Sequence, residues 1–313
     1  MIDGHVLALC GGVGGAKLAA GLATVLPGER LTVVVNTGDD FEHLGLSISP
    51  DIDTVIYTLS GLADTVRGWG VADESWQAMA MLARLGEADW FRLGDRDLAM
   101  HIARARRLAA GEALGTITAE FARRLGIAPA IVPMSEDPVR TEIVTDDAVL
   151  PFQRYFVELQ CAPVARAIRF AGADQARPSA GFRAALDRAD LAAILICPSN
   201  PYLSIDPILA LPGIRAALAD RKVPCVAVSP IVGGQAIKGP TAKLMGELGV
   251  PVDIATIAQH YAGLIDGLVV DTIDAQTAIG LPSYATQAIM RSDADRRALA
   301  EATLGFASAL RSS

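Results

Sequence analysis

The chain has few residues of the kinds that mark secreted or membrane proteins. Its 4 cysteines in 313 residues stand at positions 10, 161, 197 and 225, without a C-x-x-C pair. Disulfide frameworks and structural zinc sites are therefore not expected. Apolar runs such as LAAILIC at 191–197 are far too short to cross a bilayer, and no Lys or Arg precedes the first apolar stretch. We expect a cytoplasmic protein with no membrane contact.

Positive charge is also scarce. Lys and Arg total 27 against 35 Asp and Glu, which gives a formal net charge of -8. This balance argues against a general nucleic-acid binder, although local backbone donors and a metal still allow a phosphorylated small molecule to bind. Hydrophobic residues make up 51% of the chain and charged residues 20%, so a sizeable core is available.

The order of apolar patterns predicts an α/β fold. HVLALC at 5–10 and LTVVVN at 31–36 are typical of buried strands, and Leu18, Leu22 and Val25 recur between them at helical spacing. Alternation resumes in the second half of the chain. We expect strands at 191–197, 223–229 and 267–270, with helices at about 207–219 and 240–248.

The middle of the chain has a different character. Residues 74–125 are typical of helices, and 131–160 contains short pieces typical of strands, among them FQRYFVELQ at 152–160. We therefore expect one α/β domain over 1–313, a Rossmann-like three-layer sandwich with a mostly parallel sheet. A helical insertion is expected within it at about 60–128.

A glycine-rich loop, GGVGGAK at 11–17, follows the first predicted strand. It is not a Walker A loop, because Lys17 follows Ala16 and precedes Leu18, and Lys17 occupies the third glycine position of the dinucleotide fingerprint. Glycines between a strand and a helix nevertheless let backbone N–H groups approach a phosphate, and Lys17 adds a full charge. We predict a phosphate-binding loop; a tight turn with a surface lysine is the alternative.

Acidic residues cluster after the second predicted strand, in NTGDDFEHLGLSISPDIDTVIY at 36–57. Carboxylates beside a phosphate loop suit Mg²⁺, which takes one or two of them together with phosphate oxygens. As alternatives, Asp51 after Pro50 is a turn residue and Asp53 caps a helix. We expect metal ligands among Asp39, Asp40, Glu42, His43, Asp51 and Asp53.

Other loops carry polar groups at predicted strand or helix ends. In GDRD at 94–97 one aspartate caps the following helix, and Arg96 is placed to bind a phosphate or a polar ring edge. Ser199 and Asn200 follow the strand that ends at Cys197. No Ser-His-Asp order or nucleophile elbow is present, so we expect a chain that positions phosphates without a covalent intermediate.

In order and spacing, a set of motifs resembles the 2-phospho-L-lactate transferase family of coenzyme F420 biosynthesis over about residues 6–270. The motifs are GGVGGAK, VNTGDD, ISPDIDTVIY, RGWG at 67–70, WFRLGDRDLAMHI, LPFQRYFVE, PSNPYLSIDPIL and SPIVGG. The resemblance implies a Mg²⁺-dependent enzyme, a transferase for substituted phosphate groups. It passes a phospho-three-carbon acid from a guanylyl diphosphate donor to the ribityl hydroxyl of the deazaflavin Fo and releases GMP. Lactyl, enolpyruvyl and glyceryl donors stay open as alternatives, since they differ by very small groups.

The resemblance also implies roles for individual residues, small-molecule substrates and a homodimer. Nucleotide binding falls to Gly11, Gly12, Gly14, Gly15, Lys17, Ser199 and Asn200. Metal binding falls to Asp39 and Asp40. Deazaflavin binding falls to Asp51, Asp53 and Arg96, and Asp51 and Asp53 are the catalytic candidates that orient or deprotonate the hydroxyl.

Two other classes are weighed against this enzyme. A related family that shares the glycine loop and the sheet looks like a non-catalytic sensor of nucleotide sugars; RGWG and WFRLGDRDLAMHI favour the enzyme, which must also hold Fo. An NAD-dependent oxidoreductase is disfavoured by Lys17 and by NTGDD at the end of the second predicted strand, where a lone acidic residue is typical.

Overall fold

A computed structural model describes residues 2–237 and 239–311 of the chain, and these residues form an α/β fold. The strands are β1 (His5–Cys10), β2 (Leu31–Val35), β3 (Phe41–His43), β4 (Leu46–Ile48), β5 (Ala130–Pro133), β6 (Arg140–Val144), β7 (Val149–Pro151), β8 (Ala167–Ala171), β9 (Leu191–Ile196), β10 (Cys225–Val228), β11 (Ile231–Val232), β12 (Gln235–Ala236), β13 (Gly267–Asp271) and β14 (Ser283–Thr286). The α-helices are α1 (Gly12–Val25), α2 (Pro50–Leu59), α3 (Gln77–Arg84), α4 (Asp95–Ala109), α5 (Leu114–Arg124), α6 (Ala180–Leu186), α7 (Asp206–Leu209), α8 (Ile214–Ala219), α9 (Thr241–Glu247), α10 (Ile254–His260) and α11 (Asp293–Arg311).

Seven strands form a central sheet in the order β14-β13-β10-β9-β1-β2-β5, and every neighbouring pair is parallel. The strands β1, β2 and β10 are buried along their whole length, as expected for a parallel sheet covered on both faces. Successive side chains of a strand point to opposite faces, so Val6 and Ala8 pack into one core while Leu7 and Leu9 pack into the other. Helices α1, α2 and α11 cover the first face, and α6, α8 and α10 cover the second. The three-layer α/β sandwich is confirmed.

The predicted alternation of strands and helices is largely present, with two corrections. The expected helix at 207–219 is two helices, α7 and α8, because Pro212 cannot continue a helix and Gly213 has a left-handed backbone with φ 81°. The prediction of a strand-like piece at 152–160 is wrong, because Arg154–Glu158 forms a π-helix. Phe152 and Gln153 just before it are helical as well, and Phe152 stacks on Phe156 four positions later, with ring centroids 5.4 Å apart.

The remaining elements surround the sheet. Helices α3, α4 and α5 lie in the stretch where helices were expected. Strands β3 and β4 form a hairpin, β11 and β12 form another, and β7-β6-β8 form a small antiparallel sheet. Within residues 2–237 and 239–311, no helix has the length and apolar character needed to cross a membrane.

Candidate active site

A cleft of about 940 Å³ lies at the carboxyl ends of the central strands. The loops that follow β1, β2, β9, β10 and β14 line it, which is where a parallel α/β sheet places a ligand. Most of the predicted site residues meet here: Gly11, Gly12, Gly14, Lys17, Asp39, Asp51, Ser199 and Asn200. The other predicted site residues are not among the described residues that line the cleft: Gly15, Asp40, Asp53 and Arg96.

The glycine loop joins β1 to α1, as predicted. Gly12 has a positive φ of 62°, and its N–H donates to Asp51 Oδ1 at 2.7 Å, while the Gly11 N–H donates to Ser199 Oγ at 3.0 Å. Val13 and Gly14 line the cleft in the first turn of α1, where backbone N–H groups have no intrahelical partner. The start of α1 therefore offers donors and a favourable partial charge to an anion.

The glycines of this loop also permit close packing against the loop after β9. A Cβ on Gly14 would come closer than 3.0 Å to the carbonyl oxygen of Pro198, and one on Gly15 would lie 2.7 Å from Cys10 Sγ. A Cβ on Gly11 would lie 2.6 Å from Asp51 Oδ2. The glycines are thus needed to bring β1, β9 and α2 together, in addition to any approach to a phosphate.

Lys17 extends from α1 toward the segment between β14 and α11. Its Nζ donates to the carbonyl oxygen of Met290 at 2.8 Å. Ala288, Ile289, Met290 and Arg291 in this segment line the cleft. Sequence reasoning missed them, because QAIMR at 287–291 carries no motif and lies far from the other loops in the chain.

Asp51 is buried in the first turn of α2 and faces the glycine loop. In addition to the Gly12 N–H, it accepts a hydrogen bond from Asn36 Nδ2 at 2.9 Å. Burial raises the pKa of Asp51 to about 6, and these two hydrogen bonds oppose the rise. Near pH 7 the carboxyl group is mostly ionised and held in one orientation.

Asp39 lies at the carboxyl end of β2 with one carboxylate oxygen unsatisfied. Its Oδ1 is buried and has no hydrogen-bond partner among the described residues. Burial, and then the charge of Asp51, raise the pKa of Asp39 well above its usual value. A buried carboxylate that faces a second carboxylate in a cleft is relieved by a bound cation.

Asp40 differs from Asp39 because its side chain contacts Ser49. The Ser49 hydroxyl donates to Asp40 Oδ2 at 2.8 Å. Burial raises the pKa of Asp40 to about 8, so the group is largely protonated at neutral pH. Like Asp39 Oδ1, Asp40 Oδ1 is buried without a hydrogen-bond partner among the described residues, and burial raises the pKa of both groups. Asp40 is the poorer candidate for a metal ligand because it does not line the cleft.

Asp53 lies on the other side of α2 and connects it to α4. Both terminal nitrogens of Arg104 donate to its carboxylate, one of them at 3.1 Å. His101 Nδ1 lies 3.7 Å from the same carboxylate, and His101 Nε2 lies 3.0 Å from Asp97. Tyr57 completes this buried network with a hydrogen bond of 2.5 Å to Asp97. The geometry gives Asp53 a structural task rather than access to a substrate in the cleft.

Arg96 is also directed elsewhere. Its Nη1 donates to the carbonyl oxygen of Ala72 at 3.1 Å, and its backbone N–H donates to Glu74. The residue of this region that reaches the cleft is Arg92, whose guanidinium lies over the Trp76 ring at 4.7 Å. Of the two arginines in this stretch, Arg92 lines the cleft and Arg96 does not.

Aromatic side chains form another part of the cleft wall, and they come from the motifs RGWG, WFRLGDRDLAMHI and LPFQRYFVE. None of them was assigned a role of its own from the sequence. Trp90 packs edge-on against Phe91 with centroids 5.7 Å apart, and the guanidinium of Arg154 lies over Trp90 at 5.2 Å. Trp69 is 45% exposed although it lines the cleft. We call the following residues the aromatic wall: Trp69, Trp90, Phe91, Phe152 and Phe156.

A divalent cation in the acidic part of the cleft would need oxygen atoms from a bound phosphate or from water in addition to the protein carboxylates. In residues 2–237 and 239–311 no group of three or more His, Cys, Asp or Glu is arranged to hold a metal. Asp39 nevertheless offers an unsatisfied oxygen in the cleft. This suits Mg²⁺, which uses one or two carboxylates and completes its shell with phosphate oxygens and water.

Comparisons with known proteins agree with this architecture. A solved structure of a UPF0052 family member from Bacillus halodurans matches with a TM-score of 0.62 and 15% identity, covering 97% of this chain and 99% of the other, which shows a shared fold. A phosphoenolpyruvate transferase of Streptomyces griseus is 42% identical over 277 residues, 87% of this chain and 86% of the relative. A 2-phospho-L-lactate transferase of Methanosarcina mazei is 38% identical over 296 residues, 93% and 96% of the two chains. The model of the family described as 2-phospho-L-lactate transferase CofD matches residues 6–308, and the chain belongs to this family.

Proposed function

We propose that the chain transfers a phospho-three-carbon acid from a guanylyl diphosphate donor to the ribityl hydroxyl of the deazaflavin Fo, with release of GMP. The observation that supports this most is the composition of one cleft. The first turn of α1 and two carboxylates suit a metal-bound diphosphate, and the aromatic wall suits a flat tricyclic ring. The homodimer that the resemblance implies and the cytoplasmic location expected from the short apolar runs belong to the same proposal.

We infer an enolpyruvyl group as the first donor to test. The relatives named phosphoenolpyruvate transferase, from Streptomyces griseus and Streptomyces coelicolor, are 42% identical to the chain, compared with 38% for the 2-phospho-L-lactate transferase of Methanosarcina mazei. The donors differ by groups worth only about 1–3 kcal/mol of discrimination in an apolar pocket. Lactyl and glyceryl donors are therefore the comparisons to include.

The carboxylates divide into two tasks. Asp39, with its unsatisfied oxygen, is the residue that would hold Mg²⁺. When bound, Mg²⁺ would neutralise charge on the diphosphate. Asp51 is fixed by Gly12 and Asn36, so its free lone pairs are placed to orient the acceptor hydroxyl and to take its proton. Asp53 supports Asp51 indirectly by holding α2 against Arg104.

The reaction then needs no protein nucleophile. The hydroxyl oxygen of Fo attacks the phosphorus that bears the three-carbon acid, and the bond from that phosphorus to the oxygen of GMP breaks. GMP leaves with the electron pair of the broken bond, and the hydroxyl proton passes to Asp51. Backbone N–H groups of Val13 and Gly14 stabilise the charge that develops on the phosphoryl oxygens.

The test is turnover with defined substrates. The purified chain is incubated with Fo, Mg²⁺ and each of the three donors, and GMP and the phosphorylated deazaflavin are quantified by mass spectrometry. We expect equal amounts of the two products, the fastest rate with the enolpyruvyl donor, and loss of turnover with a chelator. Binding of GDP and Fo without any product from the three donors would contradict the proposal and favour a non-catalytic nucleotide sensor.

A further inference from the structure

The segment between β14 and α11 is fixed at three points. The Ala288 N–H donates to Asp271 Oδ2 at 2.8 Å, Lys17 Nζ donates to the Met290 carbonyl at 2.8 Å, and the Arg291 N–H donates to Asp295 Oδ2 at 2.9 Å. Asp271 lies at the end of β13, Lys17 in α1 and Asp295 in α11. Three different elements thus hold this segment at the edge of the cleft.

The side chain of Arg291 is available for a ligand. The residue is exposed and lines the cleft, and its guanidinium makes no hydrogen bond or ion pair within the part of the chain that the structure describes. Its positive charge contributes, after several hydrogen bonds, to the lowered pKa of Asp295. The other arginine that lines the cleft, Arg92, is stacked on Trp76.

The negative charge of the cleft favours a cationic side chain such as Arg291 for binding a phosphate. A diphosphate that meets the first turn of α1 also approaches Asp39 and Asp51, both of which line the cleft. Two carboxylates repel a phosphate unless positive charge compensates them. The Lys17 ammonium donates to a backbone carbonyl, whereas an arginine fork matches two phosphate oxygens at once.

We propose that Arg291 binds the diphosphate of the donor nucleotide and that Lys17 positions Arg291 by holding the Met290 carbonyl. This rests on the proposed function, because the donor is the ligand of the site. It changes the expected task of Lys17 from a direct phosphate ligand to a positioning residue. It also adds a nucleotide-binding element at the far edge of the sheet from β2.

The first experiment measures GDP binding by titration calorimetry, together with Fo binding by fluorescence. We expect Arg291→Gln to weaken GDP binding by about tenfold or more, as the loss of a charged hydrogen bond does, with Fo binding unchanged. Arg291→Lys should recover part of the affinity. The control is Arg297→Gln on α11, an exposed arginine paired with Glu301 outside the cleft, which should bind GDP like the wild type.

A double-mutant cycle tests the positioning step. Lys17→Met should weaken GDP binding, and adding it to Arg291→Gln should cause little further loss, because both changes act through one guanidinium. Fully additive losses would show that Lys17 binds phosphate independently and would overturn its positioning task. Lys17→Arg, which can still reach the carbonyl, should retain most of the affinity.

Three results would separate the possible failures. If Arg291→Gln leaves GDP affinity unchanged and only raises the KM of the donor, Arg291 binds the carboxylate of the three-carbon acid, and the diphosphate assignment is overturned. Unchanged GDP affinity and donor KM would overturn the site itself. A wild-type chain that binds GDP through Arg291 but yields no product would leave this site supported and contradict the proposed transferase reaction.

Discussion

Replacement of Gly14 by alanine tests whether the glycine loop is shaped by packing. The new Cβ would come closer than 3.0 Å to the Pro198 carbonyl oxygen, a backbone atom that cannot rotate away. The start of α1 and the loop after β9 would have to separate. Overpacking of this kind costs about 1–3 kcal/mol. The helix-propensity gain of alanine over glycine, at most about 1 kcal/mol, offsets only part of this cost.

The assay is urea unfolding followed by tryptophan fluorescence, with GDP affinity measured on the folded protein. Gly305→Ala is the matched control, since Gly305 also lies in a helix, in α11, and nothing lies within 4 Å of the Cβ that would be added. We expect Gly14→Ala to lower the free energy of unfolding and GDP affinity together, while Gly305→Ala raises stability slightly and leaves binding unchanged. Equal stabilisation by the two substitutions would refute the packing account of Gly14.

Three further changes test the carboxylates. Asp51→Asn should lower kcat by at least about a hundredfold without weakening GDP binding, because it removes one of the two carboxylates that repel the diphosphate. The wild-type rate should rise as pH increases through about 6, where Asp51 ionises, and a variant with the same pH profile would exclude Asp51 as the base. Arg104→Met should cost about 3–5 kcal/mol in urea unfolding, because it leaves Asp53 buried and unpaired, and adding Asp53→Leu should restore most of the loss; no recovery would contradict this account. The pKa of Asp40 is about 8 in the folded chain against 3.8 for an ordinary aspartate, so between these pH values the folded chain holds a proton that the unfolded chain has lost, and wild-type stability falls as pH rises from about 4 to 8 and levels off above 8. The Tm of Asp40→Asn relative to the wild type should therefore rise over this range, and parallel curves would contradict the raised pKa.

The sequence predicted the strand order along the chain and the meeting of loops because both follow from local pattern. Short apolar runs such as HVLALC and LTVVVN favour interior strands, and parallel strands bring their carboxyl ends to one edge. The piece at 152–160 was mistaken for a strand because its aromatic and β-branched residues favour β structure. Packing of Phe152 on Phe156 overrides that preference in the folded chain.

Residues that line the cleft were expected from the sequence where a polar motif marks them, but not where tertiary structure brings them in or where the side chain is apolar. Arg291 belongs to a stretch without motif or charge cluster, and only the docking of α11 against α1 places it beside the glycine loop. The aromatic wall lies within the quoted motifs RGWG, WFRLGDRDLAMHI and LPFQRYFVE, but none of its side chains was assigned a role of its own. Trp90 and Phe152 are more than sixty positions apart in the chain, and an apolar residue gives no sign in a sequence of whether it faces a core or a cleft.

The division between Asp51 and Asp53 shows what helix geometry adds to a motif. Two residues in DID are separated by about 200° around an α-helix, so they cannot both face the same ligand. Once α2 begins at Pro50, one carboxylate must face the glycine loop and the other must face away from it. The structure gives Asp51 to Gly12 and Asp53 to Arg104. Asp53 thus fixes α2 to α4, while Asp51 is held against the glycine loop in the cleft.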